Sequence, residues 1–140
     1  MLALRILLIG ITLCFISLQG LQAQEVTLVK SVFFGGGSYY IDPAQIEEVK
    51  AFIEQAPGGI ARHQVVVSSH TDNIGGAAYN QWLSGMRSET VSGVLHKLGL
   101  SPDQILIQNN GQQNPYYDNQ TLHGRLANRR VDIILLPIVL

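Results

Sequence analysis

Asp72 lies in a polar, glycine-containing loop, His70-Thr71-Asp72-Asn73-Ile74-Gly75-Gly76, that feeds a long helical segment beginning near Tyr79. On that segment Asn80, Ser84 and Arg87 are four and three residues apart, so they share one helical face. That face is expected to be distinct from the apolar one carrying Leu83, Met86 and Val94. A carboxylate on the loop and a guanidinium on the helix make a receptor for an ammonium and a carboxylate at once, the two charges of a free amino-acid head. The helix N-terminus adds backbone N–H donors for the carboxylate. The same residues also fit a plainer role, with Asp72 capping its own loop and Arg87 paired to it or to a surface carboxylate.

A second polar constellation, Asn119, Thr121, Gly124-Arg125 and Asn128-Arg129-Arg130, precedes the last apolar run. Three arginines within six residues predict a local positive patch suited to carboxylates or phosphates, against a default of solvated charges and an Asn128 that serves a turn. Catalysis finds less support. Ser68, Ser69, His70 and Asp72 are the residue types of a nucleophilic relay, but they crowd into five positions, where strand alternation sends Ser69 and His70 to opposite faces. His63, His70, His96 and His123 lack metal-ligand spacing, so no metal is expected. The Gly35–Gly37 loop lacks the order of a phosphate-binding loop, so no nucleotide or other cofactor is expected either.

The elements that must position these groups are legible in the apolar pattern. Val26 to Phe34 is β-branched and aromatic and stops at Gly35-Gly36-Gly37, which predicts a strand. Asp42-Pro43 opens a helix whose Ile46, Val49, Phe52 and Ile53 keep helical spacing until Pro57-Gly58-Gly59. Gln64 to Ser69 is a Val-rich strand, and the long helix after the Asp72 loop stops at Gly99. Ile105 to Gln108 is a third strand, Asn109 to Gln120 a polar loop, and Val131 to Leu136 a last strand followed by Pro137. The order β-α-β-α-β-loop-β predicts an α+β fold, two helices on one face of a sheet of about four strands.

With 140 residues, the chain holds one domain at most. Nine basic against ten acidic residues leave a net charge of -1, unlike the basic stripe of a nucleic-acid binder. The single cysteine, Cys14, builds no disulfide framework. Residues 1–23 have the zones of a secretory signal: Arg5, an apolar stretch from Ile6 to Leu18, and Leu21-Gln22-Ala23 with a small residue at the expected cleavage point. Cleavage is expected after Ala23, leaving a domain over 24–140. The alternatives are an uncleaved membrane anchor over Leu2–Leu21 and a lipidated Cys14, the latter disfavoured because Leu13 precedes the cysteine.

The spaced residues His70-Thr71-Asp72-Asn73-Ile74-Gly75, Tyr79-Asn80, Leu83-Ser84, Arg87, Val91, Gly111, Pro115, Asn119, Thr121, Gly124-Arg125 and Asn128-Arg129-Arg130-Val131 resemble the OmpA-like C-terminal domain. This is the peptidoglycan-binding module shared by OmpA, the peptidoglycan-associated lipoprotein and the MotB stator proteins. The resemblance covers roughly residues 30–136 and implies a β-α-β-α-β-β fold with a mixed sheet. It also implies noncatalytic binding of peptidoglycan through the diaminopimelate of the stem peptide, gripped by the residues at Asp72 and Arg87. Thr71 and Asn80 would border the pocket, with Asn128, Arg129 and Arg130 near it. The implied setting is the periplasm of a Gram-negative-type envelope, peptidoglycan- and outer-membrane-associated, with an envelope protein as a further partner. The chain departs from the family where an aromatic-acid-aromatic-acid stretch usually follows the first strand: here Phe34-Gly35-Gly36-Gly37 leaves backbone alone to form that wall. Ser69 and Ser88 replace a usual Gly and Ala. An envelope interaction module that keeps the fold but has lost wall binding is the rival expectation.

Overall fold

A computed structural model describes residues 26–138; the expected signal segment, its cleavage site and Cys14 lie outside the described residues. The elements in chain order are β1 (Leu28–Phe33), α1 (Pro43–Glu54), β2 (His63–Ser69), α2 (Ala77–Lys97), β3 (Ile105–Asn109), α3 (Leu122–Asn128) and β4 (Arg130–Pro137). The sheet order is β1-β4-β2-β3. β4 runs antiparallel to both β1 and β2, while β2 and β3 are parallel, joined by the α2 crossover.

Strand alternation decides which face is covered. Val65 and Val67 pair with Leu135 and Ile133, Val32 pairs with Val131, and these residues form one buried cluster with Val49 and Ile53 of α1 and Val91 and Leu95 of α2. Both long helices therefore cover the same face, as expected. α1 starts where Asp42 Oδ1 accepts from Gln45 N at 2.9 Å, with Pro43 at the first turn. The Gln45 amide then pairs with Phe33 N and O at 2.8 and 3.1 Å, fastening the helix start to the end of β1.

Two expectations are corrected. The segment before β4 is not wholly loop: α3 starts at Thr121, whose Oγ1 accepts from Gly124 N at 2.9 Å. Seven residues that include a glycine are too few and too polar to announce a helical period. The second correction concerns α2. Arg87, Val91 and Leu95 follow one another at four-residue steps, and all are buried together with Asn80, Leu83 and Ser84. The polar face is thus the buried face, continuous with the apolar one, while Met86 and Val94 lie at its margins. Helical spacing shows which residues share a side, but not that loops stand ready to satisfy polar groups buried there.

Candidate functional site

Three loops and the start of α2 meet at one end of the sheet, laced by backbone hydrogen bonds. Phe34 N donates to Arg129 O, His70 N to Arg130 O and Thr71 N to Gly111 O, each at 2.8 Å. They enclose a cavity of about 240 Å³ lined by residues that include Gly36, Gly37, Thr71, Asp72, Tyr79, Asn80, Arg87 and Arg129. The sequence-expected residues Asp72, Arg87, Thr71, Asn80 and Arg129 are therefore brought together.

Asp72 is held from two sides. Its Oδ1 accepts from Ile74 N at 3.0 Å, the loop-capping turn anticipated above, and its Oδ2 accepts from Arg129 Nε at 2.7 Å. The partner of Asp72 is thus Arg129 and not Arg87. Thr71 Oγ1 donates to Asp72 O at 2.9 Å, which fixes the loop backbone. Asn80, 1% exposed, donates to Gln112 Oε1 at 2.6 Å, while its own Oδ1 has no partner. A buried acceptor without a donor, on a residue that lines the same cavity as Asp72, can take a hydrogen bond from a cationic guest.

Arg87 is also 1% exposed and does two things. Its Nε, Nη1 and Nη2 donate to Ser38 O, His70 O and Gly35 O at 2.9, 2.9 and 3.1 Å, and its guanidinium lies 5.0 Å over the Phe34 ring. It therefore clamps the glycine loop to the Asp72 loop. Three engaged N–H groups of a guanidinium's five leave two for a guest. Burial pushes Arg87 down to about 10, Asp72 opposing that shift and Arg129 adding to it, so the group stays charged at neutral pH. Two guanidiniums and one carboxylate give the cavity one net positive charge, so a matching guest carries a carboxylate.

The glycine wall has a steric consequence. A Cβ at Gly36 would lie 3.4 Å from Arg129 Nη1, and one at Gly37, whose φ is +65°, would lie 3.2 Å from the Tyr79 hydroxyl. At Gly37 bare backbone gives the Tyr79 hydroxyl room to approach, while at Gly36 an added Cβ would reach the edge of ordinary contact with Arg129.

Asn128 and Arg130 do not line it. Asn128 is buried and bridges Tyr117 N, Tyr117 O and Asn119 Oδ1 at 3.1, 2.8 and 2.9 Å, a brace across the 117–119 loop. Arg130 reaches the opposite sheet face, donating through Nε to Asp132 at 3.0 and 3.2 Å with its guanidinium 5.4 Å over the Tyr117 ring. Arg125 is spent on Asn119 O and Gln120 O, so the three arginines part company and form no common patch. His70 sits beside Arg130: its Nε2 lies 3.2 Å from Ser68 Oγ and 3.9 Å from Asp132 Oδ2. Both contacts use the same nitrogen, whereas a nucleophilic relay needs one on each side of the ring. Among the described residues no group of three or more His, Cys, Asp or Glu could hold a metal ion, and no helix is long and apolar enough to cross a membrane. Spacing alone did not single out Gln112, which orients Asn80, or Arg129 as the mate of Asp72; both contacts join segments distant in sequence.

Known proteins share this arrangement of elements and motifs. The OmpA family model matches residues 33–129. The outer membrane porin F of Pseudomonas fluorescens is 38% identical over 113 residues, 79% of this chain and 33% of that protein. The outer-membrane lipoprotein YfiB of Pseudomonas aeruginosa is 32% identical over 114 residues, 81% of this chain and 67% of that one. The chain thus spans a third to two thirds of these relatives. Among solved structures, the peptidoglycan-associated lipoprotein of Burkholderia pseudomallei superposes with a TM-score of 0.63 at 24% identity, covering 76% of this chain and 89% of that one. That likeness establishes the α+β fold with its mixed four-stranded sheet.

Proposed function

We propose, on the premise that this chain belongs to the OmpA family, that it is a noncatalytic module binding peptidoglycan through the diaminopimelate of the stem peptide. The observation that carries this reading is the cavity itself: one carboxylate, two guanidiniums and an unpartnered Asn80 oxygen converge in about 240 Å³. The free end of diaminopimelate carries one ammonium and one carboxylate on a single carbon. Its ammonium meets Asp72 and Asn80 Oδ1, and its carboxylate takes the free N–H groups of Arg87 together with Arg129, which turns from Asp72 to the guest. After the exchange every charged group still faces one of opposite sign, with the guest carboxylate shared by two guanidiniums. Thr71 acts by holding the Asp72 loop, and Asn128 and Arg130 act indirectly, by setting the segment that presents Arg129.

The setting that follows is the periplasm of a Gram-negative-type envelope, where the module tethers or organises the wall, joined to an outer-membrane or other envelope partner. The relatives named above as outer-membrane proteins support that placement. A second reading, an interaction module without wall binding, draws on the Asp72–Arg129 pair, which already neutralises the acid. Calorimetry separates the two. A free L-Ala-D-Glu tripeptide ending in meso-diaminopimelate is expected to bind, and one ending in lysine, which lacks the second carboxylate, about 10- to 100-fold more weakly. Equal binding of both peptides, or of neither, overturns the diaminopimelate reading.

A further inference from the structure

We propose that the aromatic cluster at the mouth of the cavity, Tyr39, Tyr79 and Trp82, is a stacking platform for the sugar rings of the glycan strand from which the stem peptide hangs. This rests on the stem-peptide reading above. Tyr79 lines the cavity, and its ring lies 5.7 Å from that of Trp82, tilted by 37°. Trp82 in turn meets Tyr39 at 6.1 Å and 86°, edge to face. The three rings brace one another yet stay 46%, 51% and 41% exposed in the order Tyr79, Trp82, Tyr39. A contiguous aromatic surface continuous with a binding cavity marks a contact site.

The chemistry around the rings selects the occupant. Across Gly35–Ile41 and Ala77–Ser88, the two stretches that carry the rings, the only charged side chain is Arg87, and it is buried. Anionic lipid headgroups and polyphosphates find no exposed cation there. A neutral pyranose ring suits the site, because its axial C–H face is apolar and lies flat on an aromatic ring, while its hydroxyls and N-acetyl groups point outward to solvent and to the tyrosine hydroxyls. The stem peptide joins the gripped end to the sugars, and Tyr79 joins the cavity lining to the ring cluster, so one ligand can extend from one to the other. Beyond the platform Tyr39 also lines a shallow depression of about 420 Å³ with Val94, Glu89 and Lys97, one charge of each sign, so the track continues past one ring as a polymer requires.

Trp82 is the only tryptophan of the chain, so its fluorescence reports on the platform alone. The test compares the meso-diaminopimelate tripeptide with the same peptide carrying N-acetylglucosaminyl-N-acetylmuramic acid, by calorimetry and by Trp82 emission, on the purified protein. The disaccharide form is expected to bind about tenfold more tightly and to change the emission where the bare peptide does not. Trp82→Ala, checked by circular dichroism, is expected to abolish that advantage while leaving tripeptide affinity unchanged, and Trp82→Tyr to keep most of it. Equal affinity for the two ligands, with tripeptide binding intact, overturns the platform and spares the cavity reading. Binding of neither removes both. Emission that responds to phosphatidylethanolamine–phosphatidylglycerol vesicles and not to the disaccharide assigns the rings to a membrane contact and also overturns the proposal.

Discussion

The two halves of α2 are buried against the same fold in opposite ways. The C-terminal half places Val91 and Leu95 in the apolar cluster, where stabilisation scales with area removed from water. The N-terminal half buries Asn80, Ser84, Arg87 and Ser88, whose polar groups need partners and, Asn80 Oδ1 apart, find them. Ser88 Oγ donates to Asn109 Oδ1 at 2.6 Å, Ser84 Oγ accepts from Gly111 N at 3.1 Å, and Arg87 takes three loop carbonyls. The apolar half holds the helix in place. The polar half spends that rigidity on fixing three loops around a charged cavity, which an apolar core would not require.

Substitutions at the two ends should separate these roles. Arg87→Ala strikes both, because it orphans the carbonyls of Ser38 and His70, leaves Gly35 O with Ser38 N as its one donor, and removes the carboxylate partner. A loss of about 4 kcal/mol in urea unfolding, together with loss of peptide binding, is expected. Leu95→Ala should cost about 3 kcal/mol through its cavity alone. The folded fraction should bind the stem peptide like wild type, and weakened binding there would break the division between the halves. Asp72→Asn keeps the oxygen that accepts from Ile74 N and loses the charge facing Arg129, so about 2 kcal/mol of stability is expected to go, with the larger effect on binding.

The smallest expected effect lies on the opposite sheet face. Burial, seconded by Arg130 and opposed by Asp132, lowers the pKa of His70 below its ordinary 6.5, so the folded state disfavours the protonated ring. Between that lowered value and 6.5 the unfolded chain binds more protons, and stability should fall as pH drops through this window. His70→Gln, followed by thermal unfolding against pH, should flatten that stretch and leave peptide binding at neutral pH unchanged.

The sheet and both long helices were legible because β-branched runs and helical spacing survive in residues such as Val65–Val67 and Val49–Ile53. α3 was not, since its seven residues owe their helix to the Thr121 cap and tertiary context. At the site, residue types pointed to Asp72 and Arg87 and to the charges they could hold. Their pairing was hidden: Arg129 reaches Asp72 from 57 positions along the chain, across the neighbouring ends of β2 and β4, and Arg87 turns to backbone carbonyls that leave no mark in sequence. The Gly35–Gly37 loop is a wall of backbone, with Gly36 and Gly37 in the cavity lining and Gly37 giving the Tyr79 hydroxyl room to approach.

Cosedimentation with purified diaminopimelate-type sacculi, comparing wild type with Asp72→Asn after both are shown to be folded, tests the central claim most directly. Wild type is expected in the pellet and the variant in the supernatant. Folded wild type left in solution, or a variant that pellets equally, would contradict the account and leave the Asp72–Arg129 pair as a structural contact only.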